Sequence, residues 1–341
     1  MSCPLSSARR LGAALLLSLL VTLPRAGAAN EYLLVAGEDL VGEVIRVQAL
    51  PEDTFTEIGQ RYGAGFDEMK LANPQVDAWL PKGTVIVPTR FVLPNAPRDG
   101  IVLNVAELRM YQYLPARPGE ERRVATYPVS VGRLDWRTPL GTTRVVRKAA
   151  NPIWTPPENI RREAAAEGET LPAQVLPGPD NPLGPYALYL GVPGYLLHGT
   201  DERKQAGIGI LATHGCVRMY NEDVATLYNR TPVGTPVHLV DQPYKVGWGY
   251  GVLFLEAHPP FGEESEGEVQ HLTDMVQVVM DATAQYPDYP VDWKRAEAEV
   301  QRPSGVPVPI GPRWAGRTTT PGAAQKETPP QRGSQNHPSA P

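Results

Sequence analysis

Cys216 stands in the run Thr213-His214-Gly215-Cys216-Val217-Arg218-Met219, and it is the one cysteine expected in the mature chain, because Cys3 falls within a leader-like segment. Proteins exported to an oxidising compartment normally pair their cysteines. An odd one left over reads as a reactive thiol. A free thiol titrates near about 8.5, and a neighbouring histidine or cation can lower that value. Nucleophilic catalysis then needs a histidine within hydrogen-bond reach and a third group that orients its imidazole. His198 is the candidate base, because it ends the apolar run Tyr195-Leu196-Leu197 and is aimed from a core strand. Gly199 follows it and removes side-chain bulk. A tetrahedral intermediate also needs hydrogen-bond donors for its oxyanion. Gly215 permits close backbone approach, and the amide of Cys216 is the natural donor. Arg218 is placed to clamp a substrate carboxylate.

The same residues admit other uses. His198, His214 and Cys216 supply the three protein ligands that a catalytic zinc requires. No His-Glu-x-x-His pair accompanies them, and the spacing suits a thiol enzyme better, so no metal is expected. In a papain-like enzyme the cysteine precedes the histidine; here His198 precedes Cys216. A buried, inert cysteine is the ordinary alternative for a lone thiol. His214 is as well placed to support the loop as to act directly.

The elements that position these residues can be read from pattern. Residues 1–28 have a basic start (Arg9, Arg10), an apolar stretch from Leu11 to Leu23 and a small-residue site, Ala26-Gly27-Ala28. That is a secretory signal, too short in its apolar part for a span of about 20 residues. Loss of Arg9, Arg10 and Arg25 with it takes the formal charge from −5 to −8. Nucleic-acid binding, which calls for a basic face, is excluded as a partner class. With 37 prolines and 32 glycines the chain is turn-rich and more β than α.

Residues 43–90 read as a compact, self-contained unit of strand, two short helices and strand. Thr54 and Glu57 fit a capping box; Phe55, Ile58 and Tyr62 share a helix face; Gly63 stops that helix. A second short helix covers Phe66 to Ala72, and Asn73-Pro74 ends it. A connector, Phe91 to Asp99, leads to a mostly β domain over 100–257. It opens with a hairpin around Ala106-Glu107 and continues with strands at Arg123–Val131, Thr142–Arg147, Ala187–Leu190, Tyr195–His198 and Val237–Val240. Glu158 to Glu167 reads as a surface helix in a long insertion, and Asn221 to Tyr228 as a helix with Asn221 as its N-cap. Residues 258–301 are expected to be helical. Residues 302–341, rich in Pro, Gly, Gln, Ser and Thr, are expected to be a disordered tail.

His198-Gly199, with fourteen residues from Gly199 to Ala212 before Thr213-His214-Gly215-Cys216-Val217-Arg218, resembles the signature of the L,D-transpeptidase (YkuD-type) family. Thr213 stands where many relatives have serine, and both supply a hydroxyl. Asp99-Gly100-Ile101-Val102-Leu103-Asn104 is similar to the start of that domain. Asn151-Pro152-Ile153-Trp154-Thr155-Pro156-Pro157 and Asp180-Asn181-Pro182-Leu183-Gly184 are similar to segments of its Gram-negative periplasmic subgroup. The 43–90 unit resembles a LysM module, through Asp53-Thr54-Phe55, Tyr62-Gly63, Leu71-Ala72-Asn73-Pro74 and Val85-Ile86-Val87-Pro88.

The resemblance implies a YkuD-type β-sandwich beside a small α+β module and a helical C-terminal region. It implies that Cys216 attacks the meso-diaminopimelate carbonyl of a peptidoglycan tetrapeptide stem and expels D-alanine, with no metal or organic cofactor. His198 would be the base and the Gly199 carbonyl its orienting group. Thr213, His214, Gly215, Arg218 and, more remotely, Trp154 would shape the substrate site. The partners implied are stem peptides and glycan, with an outer-membrane lipoprotein lysine or a second stem as acceptor. Water as acceptor would make an L,D-carboxypeptidase. A catalytically dead, LysM-based peptidoglycan-binding protein is the reading from another class.

Overall fold

The computed structural model describes residues 30–260 and 268–314. The expected signal over 1–28 and the part of the expected tail beyond residue 314 lie outside the described residues. The chain begins with β1 (Asn30–Leu33), followed by β2 (Leu40–Gln48), α1 (Phe55–Tyr62), α2 (Phe66–Ala72) and β3 (Thr84–Val92). Antiparallel pairing of β2 with β3 runs from Leu40↔Val92 to Gln48↔Thr84. The Thr54 hydroxyl accepts from the Glu57 amide and the Glu57 carboxylate accepts from the Thr54 amide at 2.8 Å, which satisfies two otherwise orphaned donors at the start of α1. Gly63 closes the helix in the left-handed region. Phe55 and Ile58 are fully buried against Met69, Val85 and Val87; each such side chain contributes about 1.5–3 kcal/mol. Asn73 does more than stop α2. Its amide nitrogen donates to the carbonyls of Met69 and Ile86, and its oxygen accepts from the Ile86 amide, all at 2.8 Å.

The central part contains β4 (Ile101–Asn104), β5 (Arg109–Leu114), β6 (Arg123–Pro128), β7 (Val131–Gly132), β8 (Gly141–Ala150), α3 (Glu158–Ala166), β9 (Tyr186–Leu190), β10 (Leu196–His198), β11 (Leu211–Thr213), β12 (Val217–Arg218), α4 (Asn221–Arg230) and β13 (Pro236–Val240). Nine strands form one sheet in the order β1-β6-β5-β4-β13-β8-β9-β10-β12, while β7 and β11 pair separately. The expected sandwich is therefore one curled sheet. Strand β8 belongs to both halves, pairing with β13 through its first residues and with β9 through its last. Residues from both halves (Ile101, Met110 and Tyr127 from one, Leu188, Leu197 and Val217 from the other) meet in one core cluster. Asn221 is the first residue of α4 rather than its N-cap, which is Tyr220. Its side chain has tertiary partners instead: it accepts from the Thr200 amide at 2.9 Å and donates to the Thr200 carbonyl at 3.1 Å.

The C-terminal part departs from expectation in two ways. Strands β14 (Tyr244–Gly249) and β15 (Val252–Ala257), assigned by pattern to the preceding domain, pack with α5 (Glu268–Thr283), α6 (Trp293–Gln301) and β16 (Val308–Pro309). The helical region is thus part of an α+β unit. Residues 302–314 are also ordered: Leu255 pairs with Val308, Ile310 is fully buried, and the Trp314 ring lies 5.6 Å from that of Tyr289. Composition misleads here because Pro309 occupies an edge strand, where a missing N–H costs little.

Buried ion pairs join the three parts. Arg109 on β5 makes a bidentate pair with Glu68 on α2, both bonds at 2.6 Å, and its Nη2 also donates to the Gly63 carbonyl at 2.9 Å. Lys245 on β14 reaches Glu107 at 2.6 Å and Glu256 at 2.9 Å. The 43–90 unit is consequently docked rather than self-contained. Glu68→Ala would leave the Arg109 guanidinium buried without a counter-ion. A loss of about 3–5 kcal/mol is expected, read as a lowered urea midpoint; a loss below about 1 kcal/mol would contradict a structural role for the pair.

Candidate active site

Strands β10 and β12 run parallel, with Leu197 opposite Val217 and His198 opposite Arg218. This explains the spacing of the signature: the intervening residues are the crossover that returns the chain to lie beside His198. Cys216 immediately precedes β12 and is half-buried. His198 is buried, and its Nδ1 lies 2.6 Å from the Gly199 carbonyl. A carbonyl can only accept, so Nδ1 carries the hydrogen and Nε2 is left with its lone pair. Burial, reinforced by the positive charge of Arg218, pushes the imidazole down to about 4, against the opposing pull of the Gly199 and Pro182 carbonyls. At neutral pH His198 is an uncharged base. A side chain at Gly199 would put its Cβ 2.4 Å from the Asn221 Oδ1, which is why glycine follows the histidine.

The turn before Cys216 is held from several sides. The Thr213 hydroxyl donates to the Cys216 carbonyl at 2.6 Å. Gly215 has φ +97, and a Cβ there would meet the Tyr195 ring at 2.7 Å, so this turn requires glycine twice over. The Thr138 hydroxyl donates to the Gly215 carbonyl at 2.8 Å. His214 reaches the insertion, where its Nε2 bonds the Glu163 carboxylate on α3. The other oxygen of Glu163 accepts from Arg133 at 2.7 Å, and the Trp136 ring stands edge-on to the His214 ring at 5.0 Å. The two hydrogen bonds keep the Glu163 carboxyl below the usual carboxylate range.

The thiol itself departs from the expectation of a lowered pKa. Burial raises it, and this outweighs the lowering by the Leu196 backbone and by Arg218. It donates to the Gly194 carbonyl at 3.4 Å. The resting pair is thus neutral thiol and neutral imidazole. The Arg218 Nε is buried and has no hydrogen-bond partner among the described residues. Burial lowers the guanidinium pKa, against the attraction of Asp201 and Cys216. A buried guanidinium beside the thiol thus keeps a donor that the surrounding protein does not fill.

Cys216, His198, Arg218, His214, Thr213 and Trp154 all line one cleft of about 640 Å³. Gly199 and Gly215 serve it through their backbones. Trp154 is fixed by mutual backbone hydrogen bonds with Val175, at 3.0 and 2.8 Å. Sequence reading missed Thr138, Trp136, Arg133 and Glu163. Nothing in the pattern of 158–166 marks Glu163 among its neighbours, since its role depends on where α3 docks. Glu163→Ala is expected to free α3 from the turn before Cys216 and to raise amide hydrogen exchange across 158–167 about tenfold, with the β9–β10 amides unchanged. Unaltered exchange in that segment would show that the latch does not hold the helix.

A family model described as the L,D-transpeptidase catalytic domain matches residues 98–239. The chain is 39% identical over 283 residues to the probable L,D-transpeptidase ErfK/SrfK of Salmonella typhimurium, a match spanning 80% of this chain and 88% of the relative. It is 38% identical over 293 residues to the probable L,D-transpeptidase YbiS of Escherichia coli, spanning 83% and 92%. Among solved structures it is similar to L,D-transpeptidase 3 from Mycobacterium tuberculosis, at 17% identity and TM-score 0.31, over 64% of this chain and 100% of the other. The chain belongs to the L,D-transpeptidase family. Among the described residues no helix is long and apolar enough to cross a membrane.

Proposed function

We propose that this protein is a periplasmic cysteine acyltransferase that remodels peptidoglycan. In the first half-reaction the Cys216 sulfur attacks the carbonyl at the L-centre of meso-diaminopimelate in a tetrapeptide stem. His198 Nε2 takes the thiol proton and returns it to the amine of the departing D-alanine as the Dap–D-Ala bond breaks. The Cys216 amide donates to the oxyanion, and Arg218 binds the carboxylate next to the scissile bond. In the second half-reaction a primary amine attacks the thioester, gives its proton to His198 and releases the thiol. Lipoprotein lysine and the diaminopimelate of another stem both suit that step; water would give an L,D-carboxypeptidase. The 43–90 unit is read as a LysM-like module that grips the glycan.

The observation that carries this reading is the β10–β12 pairing, which sets an imidazole with a free Nε2 and an unpaired guanidinium in the same cleft as the thiol. The test is intact-protein mass spectrometry of the mature enzyme with a tetrapeptide-bearing disaccharide, with and without a lipoprotein C-terminal peptide. A Cys216 adduct equal to the stem minus D-alanine is expected. Its transfer to the peptide lysine would identify anchoring, and transfer to a second stem would identify cross-linking. Absence of both adduct and released D-alanine would leave the binding-protein reading standing.

A further inference from the structure

The cleft carries a second guanidinium that the reaction above leaves unused. Arg147 lies on β8, which gains one extra residue against β9: Val145 faces Leu190, yet Arg147 faces Tyr189. Strict alternation would put Arg147 on the same side as Val145, which is fully buried in the core. The bulge turns it instead to the side of Tyr189, and both residues line the cleft. Re-aiming a side chain is a recurrent use of such bulges. The guanidinium stacks on the Tyr189 ring, its Cζ 3.4 Å from the centroid. Stacking occupies the face of the group and leaves its in-plane N–H donors available. Among the described residues Arg147 has neither a hydrogen-bonded nor an ion-paired side-chain partner, and the residues lining the cleft include no carboxylate. The nearby Glu163 is engaged by Arg133 and His214.

The cleft lining therefore offers two separate cations and no carboxylate; Asp201, which attracts Arg218, lies outside that lining. Arg218 neighbours Cys216 and is suited to the carboxylate of the leaving residue. Arg147 stands on the third strand from β12, about 14 Å away at the usual strand spacing. We infer that Arg147 is a specificity-determining residue that binds a second carboxylate, one that stays on the acyl half of the donor. This rests on the stem-peptide reading above. Such a stem has two carboxylates of that kind, on the γ-linked glutamate and on the far centre of diaminopimelate. Each lies about six to seven covalent bonds from the scissile carbonyl, a length that matches the separation once the reach of the arginine is included.

The test compares the wild-type full chain with Arg147→Ala on three donors: the unmodified tetrapeptide disaccharide, the same donor amidated at the glutamate carboxylate, and the same donor amidated at the diaminopimelate carboxylate. Arg147 is exposed, so the variant should keep the wild-type thermal midpoint. On the unmodified donor kcat/KM for D-alanine release is expected to fall about tenfold to thirtyfold, mostly through KM. On one amidated donor wild type and variant should become equal, and that donor identifies the carboxylate held. Equal rates on the unmodified donor, or the same penalty on all three, would overturn the assignment while leaving the transpeptidase reading intact. A wild-type enzyme that releases no D-alanine from any of them would overturn both.

Discussion

Cys216→Ala is expected to abolish D-alanine release and to form no adduct with the stem peptide, a fall of about 10⁶-fold by comparison with other enzymes stripped of their nucleophile. No other thiol lines the cleft. The Thr213 hydroxyl is committed to the Cys216 carbonyl, and the remaining titratable groups there are two arginines, two histidines and two tyrosines, Tyr189 and Tyr195. The fold should be untouched. The substitution removes one half-buried sulfur whose hydrogen bond to Gly194 is long, at 3.4 Å, and the turn is held by Thr213, Thr138 and Gly215 rather than by the thiol. The variant should therefore unfold within about a degree or two of wild type, because surface-like substitutions stay near ±0.5 kcal/mol. Adduct formation in the variant would sink the assignment of the nucleophile.

The second large effect concerns His198. Its removal in His198→Ala is expected to slow acylation by about 10²–10⁴-fold, the usual worth of a positioned general base. The depressed imidazole and the raised thiol give that expectation a pH profile. With the imidazole pushed down to about 4, wild-type kcat/KM should stay level through neutral pH and fall only as His198 gains a proton near that value. The sign follows from its role: protonation fills the Nε2 lone pair that receives the thiol proton. Burial raises the thiol, so the variant holds less thiolate than a free cysteine at neutral pH and has no imidazole to take the proton. Its rate should instead climb tenfold per pH unit into the alkaline range as hydroxide ionises the thiol directly. An acid limb near 6.5 in wild type would show an imidazole exposed to solvent. A flat profile in the variant would mean that another group serves as base.

Placement of the three parts shows how far local pattern reaches. The Thr54–Glu57 capping box and the Gly63 stop are interactions among residues within one or two turns, and the structure contains them where the pattern put them. The β4–β5 hairpin is of the same kind. The separation of His198 from Cys216 is longer, and it was legible only through the resemblance to the family signature; in the structure it is the crossover between two adjacent parallel strands. By contrast, β14 and β15 look like any other strands, and only their packing against Met275, Val279 and Ile310 assigns them to the C-terminal unit. Residues 302–314 have the composition of a tail and the burial of a core edge, because a few well-spaced apolar residues suffice once a partner surface exists.

Local residue identity thus determined the chemistry on offer: a lone thiol, a histidine on a strand end, glycines where the backbone must turn, and an arginine two residues past the nucleophile. Tertiary structure alone decided the electrical state of those groups and the company they keep. The thiol is raised rather than lowered because burial outweighs Arg218, and the amount of water excluded from a site depends on every element packed around it. Glu163 and Glu68 became specific partners of His214 and Arg109 across 51 and 41 residues of chain, distances over which no periodicity carries information. Arg147 faces the cleft because of a single extra residue in β8, and strand register is settled by the cooperative fit of both faces of a sheet.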